Sequence, residues 1–115
     1  MKMLTVVAVL LALPALAQTS HQNHGSPSSG ASPSTKAYQA ANDRMHRDMA
    51  IAFTGNADRD FAAGMIPHHQ GAIDMAEVVL KFGKDPELRK LATDIIKAQQ
   101  TEIAFMKAWL AKQPK

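Results

Sequence analysis

Between residues 36 and 112 the apolar side chains recur every three or four positions, and glycine-marked breaks at Gly55 and Gly83 divide the pattern into three. A recurrence of 3.6 lays a stripe along one side of a helix, whereas a half-buried strand needs a repeat of two. The first segment, 36–53, carries Tyr38, Ala41, Met45, Met49, Ala52 and Phe53 on its stripe, with Ser34 or Thr35 to cap it and Gly55 as a left-handed terminator. The second, 58–82, carries Phe61, Met65, His68, Ala72, Met75, Ala76, Val79 and Leu80, with His69 on the other shoulder. Asn56 or Asp58 caps it and Gly83 follows its end. The third, 86–112, has the strongest start signal: Asp85 as cap, Pro86 in the first position and Glu87 beside the positive end of the helix dipole. Its stripe runs through Leu88, Leu91, Ala92, Ile95, Gln99, Glu102, Ile103, Met106, Trp109 and Leu110. The expectation is an all-α domain over residues 36–113: a small up-down bundle of three main helices joined by short turns.

Ahead of this domain, residues 1–17 read as a secretory signal peptide. Lys2 supplies the positive start, Met3 to Leu13 is apolar, and Ala15-Leu16-Ala17 fits a cleavage site. The alternative, a membrane anchor, needs about 20 apolar residues and the run is shorter. Residues 18–35 are rich in Ser, Pro, Gly, His and Gln, too polar to offset the entropy of ordering, and are expected to form a disordered leader. His21 and His24 lie in it, as plain polarity or as a weak metal-capture arm. The mature chain is therefore expected outside the cytoplasm, in a bacterium the periplasm. It has no cysteine, which excludes both a lipoprotein anchor and disulfide staples. A domain this small then relies on regular helix packing, a metal or oligomerisation. The 13 Lys and Arg are scattered among 10 Asp and Glu rather than clustered, which excludes a nucleic-acid footprint. No phosphate-binding glycine loop and no serine–histidine–aspartate arrangement is present.

The chemistry concentrates in Met65-Ile66-Pro67-His68-His69 and its surroundings. Pro67 lies inside a helical pattern, removes a hydrogen bond and clashes with the carbonyl of Ala63, so a kink or irregular turn is expected at 63–67, or else a short separate helix before Pro67. All five methionines beyond the signal peptide (Met45, Met49, Met65, Met75 and Met106) fall on the stripes, and His46, His68 and His69 lie on or beside them. Thioether selects Cu(I), and by the same softness Ag(I); imidazole suits copper in either oxidation state. Methionine is also a common gap-filler of small cores, so packing and ligation both stand for each sulfur. The adjacent histidines favour ligation, because a buried pair must find two sets of partners. Glu102 and Gln99 interrupt an apolar stripe, and a histidine N–H from the second helix would satisfy the carboxylate. Di-iron chemistry would need Glu-x-x-His pairs, which are absent. Zinc makes poor use of thioethers, and haem finds no attachment motif and little room.

From Asp60 through Met65-Ile66-Pro67-His68-His69-Gln70-Gly71-Ala72-Ile73-Asp74-Met75-Ala76 the chain closely resembles the bacterial family known as domain of unknown function 305. The likeness extends to Met45-His46-Arg47-Asp48-Met49, to Lys84-Asp85-Pro86-Glu87 and to the Gln99–Leu110 pattern, and so covers most of residues 42–111. The resemblance implies a ferritin-like helical architecture. Through CopM-like periplasmic members it also implies copper or silver binding in metal handling or resistance. Carried onto matching positions, it gives a ligand pool of Met45, His46, Met49, Met65, His68, His69, Met75 and Met106. From the residues themselves, Glu102 with Gln99 is expected to orient a histidine from behind.

The expected function is therefore a binding module, not an enzyme: an exported protein that sequesters or carries Cu(I), with a donor or acceptor protein as its natural partner. Two alternatives share the scaffold. One is a redox-active metalloprotein; the other is a metal-independent bundle whose polar core residues mediate homodimerisation.

Overall fold

A computed structural model describes residues 30–115. Residues 1–17, read above as a signal peptide, and His21 and His24 of the expected leader lie outside these residues. Three helices and no strand occur among the described residues: α1 Pro33–Met49, α2 Ala57–Phe82 and α3 Pro86–Ala111. None is long and apolar enough to cross a membrane.

Each helix starts where a side chain satisfies its free N–H groups. Ser32 Oγ accepts from the Thr35 amide at 3.2 Å, with Pro33 in the first position, so α1 begins just before the expected residue 36. Asn56 Oδ1 accepts from Arg59 N at 3.1 Å and Asp85 Oδ1 from Leu88 N at 2.9 Å. The end of α1 departs from expectation: the helix stops at Met49 and residues 50–53 run non-helically. The cause is Asp60 in the first turn of α2. Its carboxylate gathers the Thr54 amide at 2.9 Å, the Thr54 hydroxyl at 2.8 Å and the Gly55 amide at 3.1 Å, holding the incoming chain against that turn. Gly55, at φ +87°, makes the left-handed corner.

Gly83 does not terminate α2 in the left-handed manner expected. Its φ is −76° and its ψ 157°, and its amide bonds the Val79 carbonyl at 2.7 Å. Close approach is what demands glycine here, since a Cβ would lie 2.6 Å from both Val79 Cγ2 and Val79 O. The last carbonyls of α2 are met by Arg89 of α3, whose Nη1 donates to Leu80 O at 2.6 Å and Gly83 O at 3.0 Å. Pro67 lies inside α2: the α-helix continues through residues 63–67, with no irregular turn there and no separate short helix before it.

The paired positions show that neighbours run antiparallel, up, down and up. Ile51, just past the end of α1, and Met45 of α1 lie over Gly64 and Gly71 of α2, and Arg44 reaches Asp74. On the other side His69 pairs with Glu102, and Ala76 shares a groove with Ala92 and Ile95. α1 packs on α2 and α2 on α3, while α1 and α3 are not neighbours. At 100° per residue, the positions of α2 that meet α1 (64, 71, 74, 78) and those that meet α3 (62, 69, 73, 76) point about 180° apart. The bundle is thus a flat layer with α2 in the middle. Its core consists mostly of small residues: Ala41, Ala62, Gly71, Ala76 and Ala92, with Ile73, Val78, Ile103 and Met106.

This geometry corrects the expected core. The stripe Phe61–Met65–His68–Ala72–Met75–Val79 lies between the two packing faces, along one edge of the layer. Phe61 and Met75 are exposed, as are Leu88 and Leu91 of α3 and Met49 of α1. A central helix needs two opposed faces that allow close approach, and small residues supply these better than large ones.

Candidate metal centre

His69 is the only buried polar residue among the described ones, at 7 % exposure. It sits on the α3-facing side of α2 because positions 62, 69, 73 and 76 repeat at helical spacing toward that helix. Its Nε2 is hydrogen-bonded to the Glu102 carboxylate of α3. Glu102 is thus the partner expected for a histidine of α2, but it is not a buried carboxylate: its side chain is 59 % exposed and rims the seam. A carboxylate acceptor places the proton on Nε2, which leaves the lone pair on Nδ1. That Nδ1 is buried and has no protein hydrogen-bond partner.

Met65 stands one turn before His69 on α2, and Met106 one turn beyond Glu102 on α3. Each methionine thus stands one helical turn from the His69–Glu102 pair. Met106 is buried and Met65 partly so. Beside them, Phe61, Ala62, Met106 and Trp109 line an open hollow of about 300 Å³. Gln99, half-buried one turn before Glu102, lines the same seam.

His68 is exposed, which reverses the expected order of the pair: the stripe histidine faces out and the shoulder histidine is buried. The two rings are 6.2 Å apart, centroid to centroid, and tilted by 59°. On α1, Met45 covers Gly71, with its Sδ 2.5 Å from where a Cβ would stand. Gly71 is one turn past His68, so Met45 approaches the His68 side of α2 rather than the His69 side. Met49 ends α1 on that side and Met75 continues the edge one turn beyond Gly71; both are exposed. The ligand pool thus divides into His69, Met65 and Met106 with Glu102 at the α2–α3 seam, and His68, Met45, Met49 and Met75 at the α1–α2 edge. His46 joins neither: it is exposed and about 140° around α1 from the buried Ala41.

Among the described residues no three His, Asp or Glu side chains come together as a metal-holding cluster. A metal at this seam would have to draw on sulfur beside imidazole, which is the donor set of a soft ion. Sequence reasoning missed Asp60 and Arg89, the two side chains that fix the turns on either side of α2. The only signal for them is positional, an acid in a first helical turn and an arginine facing a helix end.

Over 53 residues the chain is 47 % identical to an uncharacterized protein of Acanthamoeba polyphaga mimivirus, covering 46 % of this chain and 35 % of the viral one. It therefore spans about a third of that relative's length. The model of the domain of unknown function family DUF305 matches residues 8–112, nearly the whole sequence, and the chain belongs to that family.

Proposed function

We propose that this chain is an exported copper-binding protein that holds Cu(I), and Ag(I) by the same chemistry, through imidazole and thioether. The observation that carries the reading is the state of His69. Its Nε2 is committed to Glu102 while its buried Nδ1 meets no protein acceptor or donor. Leaving a buried polar atom unpaired costs about 1–3 kcal/mol, so such an atom calls for a partner. A metal-bound histidine commonly donates its other N–H to a carboxylate, which fixes the ring and raises its basicity. Nδ1 of His69 with the sulfurs of Met65 and Met106 would give two soft donors and one imidazole for a low-coordinate Cu(I) ion. None of these donors needs to lose a proton from sulfur, so the site keeps its thioethers in acid. Glu102, at the exposed rim, gives an arriving cation its first electrostatic contact.

Metal handling or resistance in the periplasm follows from this chemistry together with the export signal. The likeness of Met65-Ile66-Pro67-His68-His69 to CopM-like copper-binding members supports the same reading. A donor or acceptor protein would supply or remove the ion. The test is a Cu(I) competition titration against a chromophoric chelator. His69→Leu, which keeps the volume near and removes Nδ1, is expected to weaken Cu(I) binding by about a hundredfold. Unchanged affinity in that variant, with its helical content retained, would refute the assignment of His69.

A further inference from the structure

The two open edges of the flat layer differ in character. On one, the hollows are lined by Lys36, Arg44, Asp74, Glu77, Lys81 and Lys107 among others. On the other, an apolar hollow of about 340 Å³ crosses all three helices, from Tyr38 through Met75 and Val79 to Leu88, Leu91 and Ile95, and holds no charged side chain. The hollow at Phe61, Phe105 and Trp109 has one, Asp58. By helical position it opens on the same side, because Phe61 stands in line with Met75 and Val79 on α2, as Trp109 does with Leu91 on α3.

We propose that this apolar edge is the surface through which two copies of the chain associate face to face. Phe61, Met75, Leu88, Leu91 and Phe105 are 64 %, 45 %, 54 %, 53 % and 71 % exposed in the single chain. These five side chains alone present roughly 500 Å², and with the half-buried Tyr38, Val79, Ile95 and Trp109 the patch nears the ~800 Å² per partner of a standard interface. Apolar patches of this extent are unusual on monomers. The occupant follows from charge. Asp58 and the exposed Glu102, which stands in line with Leu91 and Trp109, are the charges on this edge. A partner with a highly charged surface would bury ions against its apolar remainder without counterparts, whereas a second copy brings the same largely apolar edge, as a two-fold interface requires. Two flat layers stacked in this way give each three-helix unit the second layer that small domains use to close a core. His68 lies on this edge between the two hollows, so association moves it from solvent into the seam.

The association needs no metal, so it is tested in the presence of a copper chelator and stands apart from the copper reading. Sedimentation velocity of the signal-cleaved chain across the micromolar range is expected to show a concentration-dependent dimer. Leu91→Glu puts a charge into the seam twice and is expected to raise the dimer dissociation constant about a hundredfold or more. Leu91 is already exposed in the single chain, so helical content by circular dichroism should be unchanged. Lys81→Glu, on the opposite edge, should leave the dimer intact. A wild-type chain that stays monomeric throughout overturns the proposal, whether a lipid surface or a different protein then proves to cover the edge. Full dimerisation of Leu91→Glu overturns it too, as does a dimer abolished by Lys81→Glu alone.

Discussion

Replacing Pro67 with alanine should stabilise the fold, which few substitutions do. Pro67 lies ten residues into a 26-residue helix that continues unbroken beyond it. A proline in a helix interior is less favourable than alanine by about 3 kcal/mol, through the lost amide and the clash with the carbonyl four residues back, here Ala63. Two terms oppose the gain. Alanine relaxes the unfolded chain, at about 0.4–1 kcal/mol. The half-buried ring faces α1, and losing its outer carbons costs about 1 kcal/mol of burial. The net expectation is a stabilisation of about 1 kcal/mol. In urea that moves the midpoint up by about 0.5 M, given a dependence of about 1–3 kcal/mol per molar; the melting temperature rises by about 4–8 °C. A midpoint that falls would show that Pro67 is held by packing rather than tolerated against it. The same variant in the chelator titration separates structure from use: a more stable protein with weaker Cu(I) binding marks Pro67 as a residue retained for the histidines beside it.

Further outcomes follow from single contacts. Glu102→Gln keeps an acceptor for His69 but removes the charge, and should weaken Cu(I) binding about tenfold in the same titration, with thermal stability nearly unchanged. Gly83→Ala forces a Cβ to within 2.6 Å of the Val79 carbonyl and should destabilise by about 1–3 kcal/mol in urea denaturation; a neutral result would remove close approach as the reason for glycine. Hydrogen bonds to Asp60, chiefly from the Thr54 amide and also from the Thr54 hydroxyl and Gly55 amide, hold its carboxyl below the ordinary aspartate range. A depressed folded-state value gives stability that is present above the unfolded value and lost as pH falls through the folded one. Thermal stability should therefore drop below about pH 4 in the native chain, and less steeply in Asp60→Asn.

The helices themselves were legible because their signals are local. Asp85 and Pro86 start α3 as the sequence indicates, and Glu102 finds its histidine on α2. What the pattern could not say was which histidine. An apolar stripe marks the side of a helix with the largest hydrophobic residues, and the sequence pattern turned that side inward. In a flat layer the central helix must approach a neighbour on each of two opposed sides. There Gly64, Gly71, Ala62 and Ala76 matter more than Phe61 or Met75. The buried histidine is thus the one aligned with Ala62 and Ala76. The end of α1 was illegible for a related reason: Ala52 and Phe53 continue the helical period, but the grip of Asp60 on Thr54 and Gly55 is a contact across the turn.

Because α1 rests on α2 alone, the three helices do not share one fate when the protein fluctuates. α1 buries one residue fully, Ala41, and is held otherwise by Met45 over Gly71, the exposed Arg44–Asp74 pair and the Asp60 clasp at its far end. Its amide protons should exchange with solvent through openings that leave α2 and α3 folded together, at a lower free energy than theirs. Each such opening uncovers Gly64 and Gly71 and frees the sulfur of Met45. On that expectation the domain would act as a two-helix hairpin that keeps His69 and Glu102 in register, with a third helix that docks and leaves on its own.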